Sequence, residues 1–334
     1  MSPLVSILSP TYNHAACIAE CLESVLGQSF QDWEQLVLDD GSTDETQKVV
    51  ARFSDPRIRY LRCEHRGLGR LAETYNFGLA QARGSLIALL EGDDTWHPEM
   101  LETQVPRLQD GGVALAFADI DVNVAGAIQA SRRPIRRWRA SWSANDPEGS
   151  SLEPLLSFQG MPQPATWLVR RSALEAVGGF CQPQGIATTD YPTLLRLCLK
   201  GRFAYTPRVL ACWRKHRGQA TDLHAGEVFI ACADFAEHFY RKEVPEQVKA
   251  RFLLGEPALS RAISRQRAFG HFRQGRCELL SRAWPRARRS FLRAFGGGSA
   301  YVKLASACGW FAGLAHRDLE AAARRLGKEW YETR

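Results

Sequence analysis

The sequence predicts an α/β fold: a mostly parallel sheet flanked by helices, followed by a C-terminal α-helical extension. Three observations carry that expectation. Over the first hundred residues, strand-length apolar runs alternate with polar loops and helical stretches, the order of a parallel sheet with crossover helices. The run 87–90 is apolar at every position, as for a strand covered on both faces. Beyond residue 225 the strand pattern stops and arginine-rich helical units take over.

Composition limits what the chain can be. Hydrophobic residues make up 45% and charged residues 24% of 334 residues, a globular balance with too much chain for one small core. No apolar run approaches the ~20 residues that span a bilayer, and the first ten residues lack a basic leader with a cleavage site. Nine cysteines form no CxxC pair and no ligand-spaced cluster, so neither a zinc site nor a disulfide frame is indicated. A cytoplasmic protein with reduced thiols is expected. Charge is uneven: residues 1–224 carry 23 basic and 25 acidic side chains, residues 225–334 carry 20 and 11. The basic third is either a solvated helix face or a patch for an anionic membrane, which would place the protein peripherally at the inner face. Nucleic acid is not expected, because the arginines lack interleaved aromatics and no binding motif occurs.

Along the chain, a strand over 4–8 ends in the polar loop Ser9, Pro10, Thr11, Tyr12, Asn13, and a helix over 15–27 places Ile18, Leu22, Val25 and Leu26 on one face. A second strand, 33–38, ends in Asp39, Asp40 and Gly41 before a helix over 45–53. A short strand over 57–62 precedes a helix over 67–82 with a glycine-rich entry, where Arg66 and Arg70 face either a diphosphate or solvent. The strand over 86–90 then runs into Glu91, Gly92, Asp93 and Asp94, with a helix starting near His97. Ligands of parallel sheets bind outside the carboxyl ends of the strands, and all three polar loops lie at that edge. Three carboxylates within four residues repel one another unless a cation sits among them. Hard oxygen donors suit Mg²⁺ or Mn²⁺; an acidic turn with Asp94 or Thr95 capping the next helix is the alternative.

Further on, a strand over 113–122 turns at Ala125-Gly126 into a hairpin, and residues 131–151 form an unpatterned loop with five arginines, Trp138 and Trp142. Residues 163–171 read as a strand containing Thr166, followed by a helix and the turn Gly178-Gly179-Phe180. Asp190 opens an amphipathic helix, and 203–213 reads as a strand pair around Pro207 ending in a basic run with His216. Helices are expected over 228–241, 245–254, 258–274, 276–295 and 301–325, with a hairpin turn at Gly275 and a flexible break at Gly296-Gly297-Gly298.

The three linked stretches VSILSPTYN, SVLGQSFQDWEQLVLDDGSTDET and LIALLEGDDTWHPEML resemble the nucleotide-sugar half of family 2 glycosyltransferases, inverting enzymes of the GT-A fold. The resemblance implies a transferase domain over 1–224, with a nucleotide-sugar half over 1–110 and an acceptor half over 111–224, and leaves the basic helical region 225–334 outside it. It implies that Pro10, Thr11, Tyr12, Asn13, Asp39, Asp40, Arg70, Glu91 and Gly92 line the nucleotide sugar, Asp40 accepting hydrogen bonds from the base or its ribose. Asp93 would be the metal-binding acid of the family's D-x-D element, with Glu91 in place of its first aspartate, contacting ribose or a metal-bound water. A GGF turn precedes the family's catalytic acid, which points to Asp190, although Thr189 stands where the family has glutamate. The basic run resembles the family's R-x-H segment, making His216 a further metal ligand. Trp138, Trp142 and Thr166 would lie on the acceptor side. A UDP-sugar is the expected donor, Mn²⁺ or Mg²⁺ the cofactor, and a glycan, lipid-linked or protein acceptor the partner, in cell-surface polysaccharide, glycolipid or glycoprotein assembly. A nucleotidyltransferase uses the same sheet, metal and nucleotide. A non-catalytic scaffold acting through its helical tail is kept open by Glu91 and Thr189.

Overall fold

A computed structural model describes residues 2–124, 126–129, 149–183, 187–215 and 225–317. Its first half is built as the periodicity requires. The strand β1 (Val5–Thr11), buried at every position, leads to α1 (Ile18–Leu26), whose Ile18, Leu22 and Val25 pack on the sheet. The strand β2 (Trp33–Asp39), α2 (Thr46–Val50), β3 (Ile58–Arg62), α3 (Leu71–Gln81) and β4 (Leu86–Leu89) complete a parallel block in the order β3-β2-β1-β4. Thr11 pairs with Asp39 in register, so the loops leaving β1 and β2 start at one level.

The sheet then turns mixed. The short strand β5 (Thr95–Trp96) and the short helix α4 (Met100–Gln104) precede the long strand β6 (Val113–Val124), which folds back on β7 (Ala127–Gln129). That hairpin lies where Ala125-Gly126 predicts it. After α5 (Leu152–Leu156) come β8 (Leu168–Arg170), α6 (Arg171–Ala176), α7 (Asp190–Leu197) and β9 (Arg202–Lys215), giving the order β3-β2-β1-β4-β8-β6-β9-β5. Three expectations are corrected here. The strand expected over 163–171 is only three residues long, because Pro164–Thr166 forms a 3₁₀ turn first. The helix expected near His97 begins at Met100. The expected strand pair around Pro207 is one strand, β9, whose pairing with β6 steps from Ala118–Thr206 to Asp119–Val209. The bulge drops Pro207 and Arg208 from the ladder, so the missing proline N–H costs no hydrogen bond.

One compact unit comprises Met1–Leu155 with Gln159–His216, and a second comprises Leu156–Phe158 with Arg217–Arg334. The second holds α8 (Ala225–Lys242), α9 (Glu246–Lys249), α10 (Glu256–Leu280), α11 (Trp284–Gly297) and α12 (Ala300–Leu314). Gly275 does not turn the chain: it sits within α10, where a Cβ would come 2.9 Å from the Phe291 ring. The turn falls at Arg282, whose φ of 58° ends the helix in the left-handed region. The helical chain does break at the glycine triplet, between the end of α11 at Gly297 and the start of α12 at Ala300. Two of its glycines are also closely packed, a Cβ at Gly297 meeting Ser264 Oγ at 2.7 Å and one at Gly298 meeting Val302 at 2.7 Å. No helix among the described residues is long and apolar enough to cross a membrane.

Candidate active site

The carboxyl edge of the parallel block gathers the three polar loops. Backbone bonds stitch them: Asp40 N–H donates to Thr11 O at 2.9 Å and Gly92 N–H to Pro10 O at 3.0 Å. Gly92 is tightly packed: a Cβ there would lie 2.7 Å from Thr11 Oγ1 and 2.9 Å from His14 Nδ1, so a larger residue would force these side chains to shift. The Thr11 hydroxyl is buried without a hydrogen-bond partner, an unmet donor and acceptor at the mouth of the sheet.

Two of the predicted nucleotide residues hold the walls. Asn13, at φ 56°, takes hydrogen bonds on Oδ1 from the amides of Thr43 (2.8 Å) and Asp44 (3.3 Å), tying the first loop to the second. Asp39 is fully buried, accepting from Ser42 N–H at 2.7 Å and from the Tyr60 hydroxyl. Asp40 is more open. Its two oxygens accept the amides of Arg66 and Gly67, each at 2.9 Å, and His65 Nδ1 donates to its carbonyl at 2.8 Å. The His65 ring stacks on Tyr12, centroids 4.2 Å apart, and Tyr12 is 40% exposed. Arg70 is exposed and closed onto Glu73 by bonds of 2.7 and 2.6 Å. Arg66 instead keeps a buried guanidinium nitrogen without a hydrogen-bond partner.

Among the described residues, Glu91, Asp93 and Asp94 form a group whose ligand oxygens all lie within 4.8 Å of one another. The electrostatics are those of crowded carboxylates. Burial first, then the charge of Asp93, and more weakly that of Asp190, push the Glu91 carboxyl up to about 7, against the opposing hydrogen bond from Tyr75. Burial, then Asp93 and Glu91, raise Asp94 well above the carboxylate range. Such mutual repulsion in a low-dielectric pocket is relieved by a cation, and the all-oxygen donor set fits a hard divalent ion.

Residues not singled out from the sequence support this turn. Tyr75 in α3 donates its hydroxyl to Glu91 Oε1 at 3.1 Å and stacks on Phe180, centroids 4.8 Å apart. Phe180 is fixed by Asn76, which bonds its N–H at 2.8 Å and its carbonyl at 3.0 Å. Gly179, at φ 86°, lies so close that a Cβ would strike Asn76 Oδ1. The GGF turn therefore braces the acidic turn through Tyr75. On the other side, Arg214 donates its backbone N–H to Asp94 Oδ1 at 2.9 Å and its Nε to Asp93 O at 3.1 Å, and its guanidinium pairs with Glu20. Local spacing carries no sign of Tyr75; Arg214 is visible in the sequence only as part of a basic run.

Asp190 opens α7, its Oδ1 accepting from the Thr188 hydroxyl and from Tyr191 N–H at 2.8 Å. Its charge adds, weakly, to the upward shift of both the Glu91 carboxyl and the Tyr75 hydroxyl. Thr166 lies in the 3₁₀ turn that precedes β8. It is fully buried, its hydroxyl donating to Gln163 O at 2.9 Å. Trp138, Trp142 and His216 lie outside the described residues.

Comparison with known proteins places this geometry. The model of "Glycosyl transferase family 2" matches residues 6–178. The chain is 33% identical over 222 residues to the uncharacterized protein MT1568 of Mycobacterium tuberculosis, covering 64% of this chain and 67% of that one. It is 37% identical over 119 residues to the UDP-Glc:alpha-D-GlcNAc-diphosphoundecaprenol beta-1,3-glucosyltransferase WfgD of Escherichia coli, covering 36% of this chain and 46% of WfgD. The matched part is thus about two thirds of the first relative and under half of the second. In structure, S. aureus TarS 1–349 in complex with UDP-GlcNAc aligns with a TM-score of 0.58 at 16% identity, over 99% of this chain and 93% of that one. The mannosyltransferase PcManGT of Pyrobaculum calidifontis, in complex with GDP-Man and Mn²⁺, aligns with a TM-score of 0.52 at 21% identity, over 98% and 89%. These structural likenesses establish the GT-A fold with C-terminal helices. A family model that spans more than half of the sequence, beside a mycobacterial relative matched over two thirds of its length, settles the kinship: the chain belongs to glycosyl transferase family 2.

Proposed function

We propose that this protein moves a sugar from a nucleoside diphosphate sugar to an acceptor hydroxyl with inversion at the anomeric carbon, residues 1–224 forming the transferase domain and residues 225–334 standing outside the chemistry. One observation carries the reading: the Glu91, Asp93 and Asp94 carboxylates converge at the edge where the β1 and β2 loops meet, with Asp190 near enough to perturb Glu91. Complexes of fold neighbours with UDP-GlcNAc, and with GDP-Man and Mn²⁺, support the donor class and the cation.

In this reading Asp93, flanked by Glu91 and Asp94, would hold a divalent cation, with His216 as a further ligand. Such an ion supplies charge neutralisation for the departing diphosphate. The chain's own residues do the rest. Asp40 is preorganised by two amides to meet the base or ribose, the Thr11 hydroxyl satisfies its unmet bond on the nucleoside, and the exposed Tyr12–His65 stack offers a flat face to the base. Arg66, with its unpartnered nitrogen, faces the diphosphate in place of Arg70, whose guanidinium is taken by Glu73. Asp190 accepts the proton of the acceptor hydroxyl as its oxygen attacks the anomeric carbon opposite the leaving group. A UDP-sugar is the preferred donor, and a surface glycan or lipid-linked sugar the acceptor class.

Calorimetric titration with UDP and GDP, with and without Mn²⁺, tests the donor half. Metal-dependent binding of one nucleotide, weakened in Asp40→Ala and Asp93→Ala, is expected. Binding by the parent protein that is equal with and without metal, and that neither variant weakens, would sink the assignment.

A further inference from the structure

We propose that the helical hairpin of α11 and α12 is a docking surface for an anionic membrane. The proposal stands independently of the sugar chemistry, because it rests on the C-terminal unit alone. Six large apolar side chains of this hairpin face water: Leu292 and Phe295 on α11, and Tyr301, Leu304, Phe311 and Leu314 on α12, with Leu304 69% and Phe311 64% exposed. Apart from the edge-on contact of Tyr301 with the Phe272 ring, centroids 6.4 Å apart, core contacts do not need them. The inner faces are already filled by Phe291, Ala294, Val302 and Ala312, with Gly309 pressed against the Phe291 ring. Exposed apolar side chains at this density mark a surface that meets a partner.

Charge identifies the partner. Residues 281–317 contain seven basic side chains and no acidic one. Arg282, Arg286, Arg289, Arg293, Lys303 and Arg317 are exposed. Lys303 lies over the Phe295 ring at 6.0 Å, so cation and apolar anchor stand side by side across the hairpin. At the other end Trp284 stacks on His316, centroids 5.5 Å apart, beside Arg282 and Arg317, which line one notch. Aromatic and aliphatic anchors interleaved with cations that have no acidic ion-pair partner among the described residues match a headgroup layer, where apolar tips enter the acyl boundary and arginines meet lipid phosphates. At 15 residues α12 is too short to span a bilayer, so it lies on the surface. A second copy of the chain is a poorer fit, because a symmetric contact would set seven cations against seven.

The test is co-sedimentation of the full chain with phosphatidylcholine vesicles, with and without phosphatidylglycerol. Binding should require phosphatidylglycerol and weaken with added salt. Arg286→Ala, Arg289→Ala and Arg293→Ala should each weaken it about fivefold, and Leu304→Glu with Phe311→Glu should abolish it. Leu304→Ser with Phe311→Ser, a milder pair, should weaken it while circular dichroism stays unchanged. No binding to anionic vesicles overturns the proposal, as does binding that survives both double variants. Concentration-dependent dimerisation abolished by the same pairs, without vesicle binding, assigns the face to a second copy instead.

Discussion

At the scale of single residues, the acidic turn and Asp190 divide the chemistry, and they should fail differently. Asp190→Asn keeps the shape and removes the proton acceptor, so kcat should fall by about 10²–10⁴ while the donor KM stays near its original value. Steady-state kinetics at saturating metal check this, and a loss confined to KM would contradict it. Gly92→Ala acts by geometry: its new Cβ would sit 2.7 Å from Thr11 Oγ1 and 3.0 Å from Ile18 Cδ1. A cost of about 1–3 kcal/mol in stability, with weaker nucleotide binding, is expected from thermal melts and titration. Which residues could be read ahead depends on where their partners stand. Asp93 is legible because its neighbours in sequence are its neighbours in space. Arg214 reaches Asp94 across 120 positions, and Tyr75 reaches Glu91 through a fold that helical periodicity does not describe.

At the scale of elements, the end of the sheet away from the site is locked by Glu34 of β2. Its side chain, 1% exposed, accepts from Ser6 Oγ (2.7 Å), Arg83 N–H (2.7 Å) and the guanidinium groups of Arg59 and Arg83. Burial alone would raise its carboxyl, but the bonds from Arg83, Ser6 and Arg59 outweigh burial and hold it below the ordinary 4.5. A carboxylate depressed in the folded state stabilises above its unfolded value and loses that stabilisation as pH falls through the folded one. Glu34→Gln should therefore cost about 3 kcal/mol at neutral pH, with the gap to the parent closing below about pH 4.5. Denaturant melts across that range check the sign; a constant gap would contradict it. The same scale explains the misread elements. Strand, loop and helix alternation was legible because apolar period alone sets it. The role of Gly275 was not, because a glycine reads alike whether it turns a chain or admits a neighbour such as Phe291. Gly309→Ala tests this packing: a Cβ would overlap the Phe291 ring, and a loss of about 1–3 kcal/mol in the C-terminal unit is expected by hydrogen exchange.

At the scale of the whole molecule, the GT-A sheet explains why three short stretches spread over a hundred residues behave as one site. Parallel strands deliver their loops to one edge, and the Thr11–Asp39 register sets those loops level. The helical region was legible as helical and basic, but its use was not, because exposure of Leu304 and Phe311 is a property of packing and not of pattern. The central claim is metal-assisted transfer from a nucleotide sugar, and the most direct measurement is release of nucleoside diphosphate from a panel of nucleotide sugars. Release from one donor is expected, which chelator stops, Mn²⁺ or Mg²⁺ restores, and Asp93→Ala reduces by at least about 10²-fold. Turnover undiminished by chelator and by Asp93→Ala, or no donor bound or consumed even with candidate acceptors present, would contradict it.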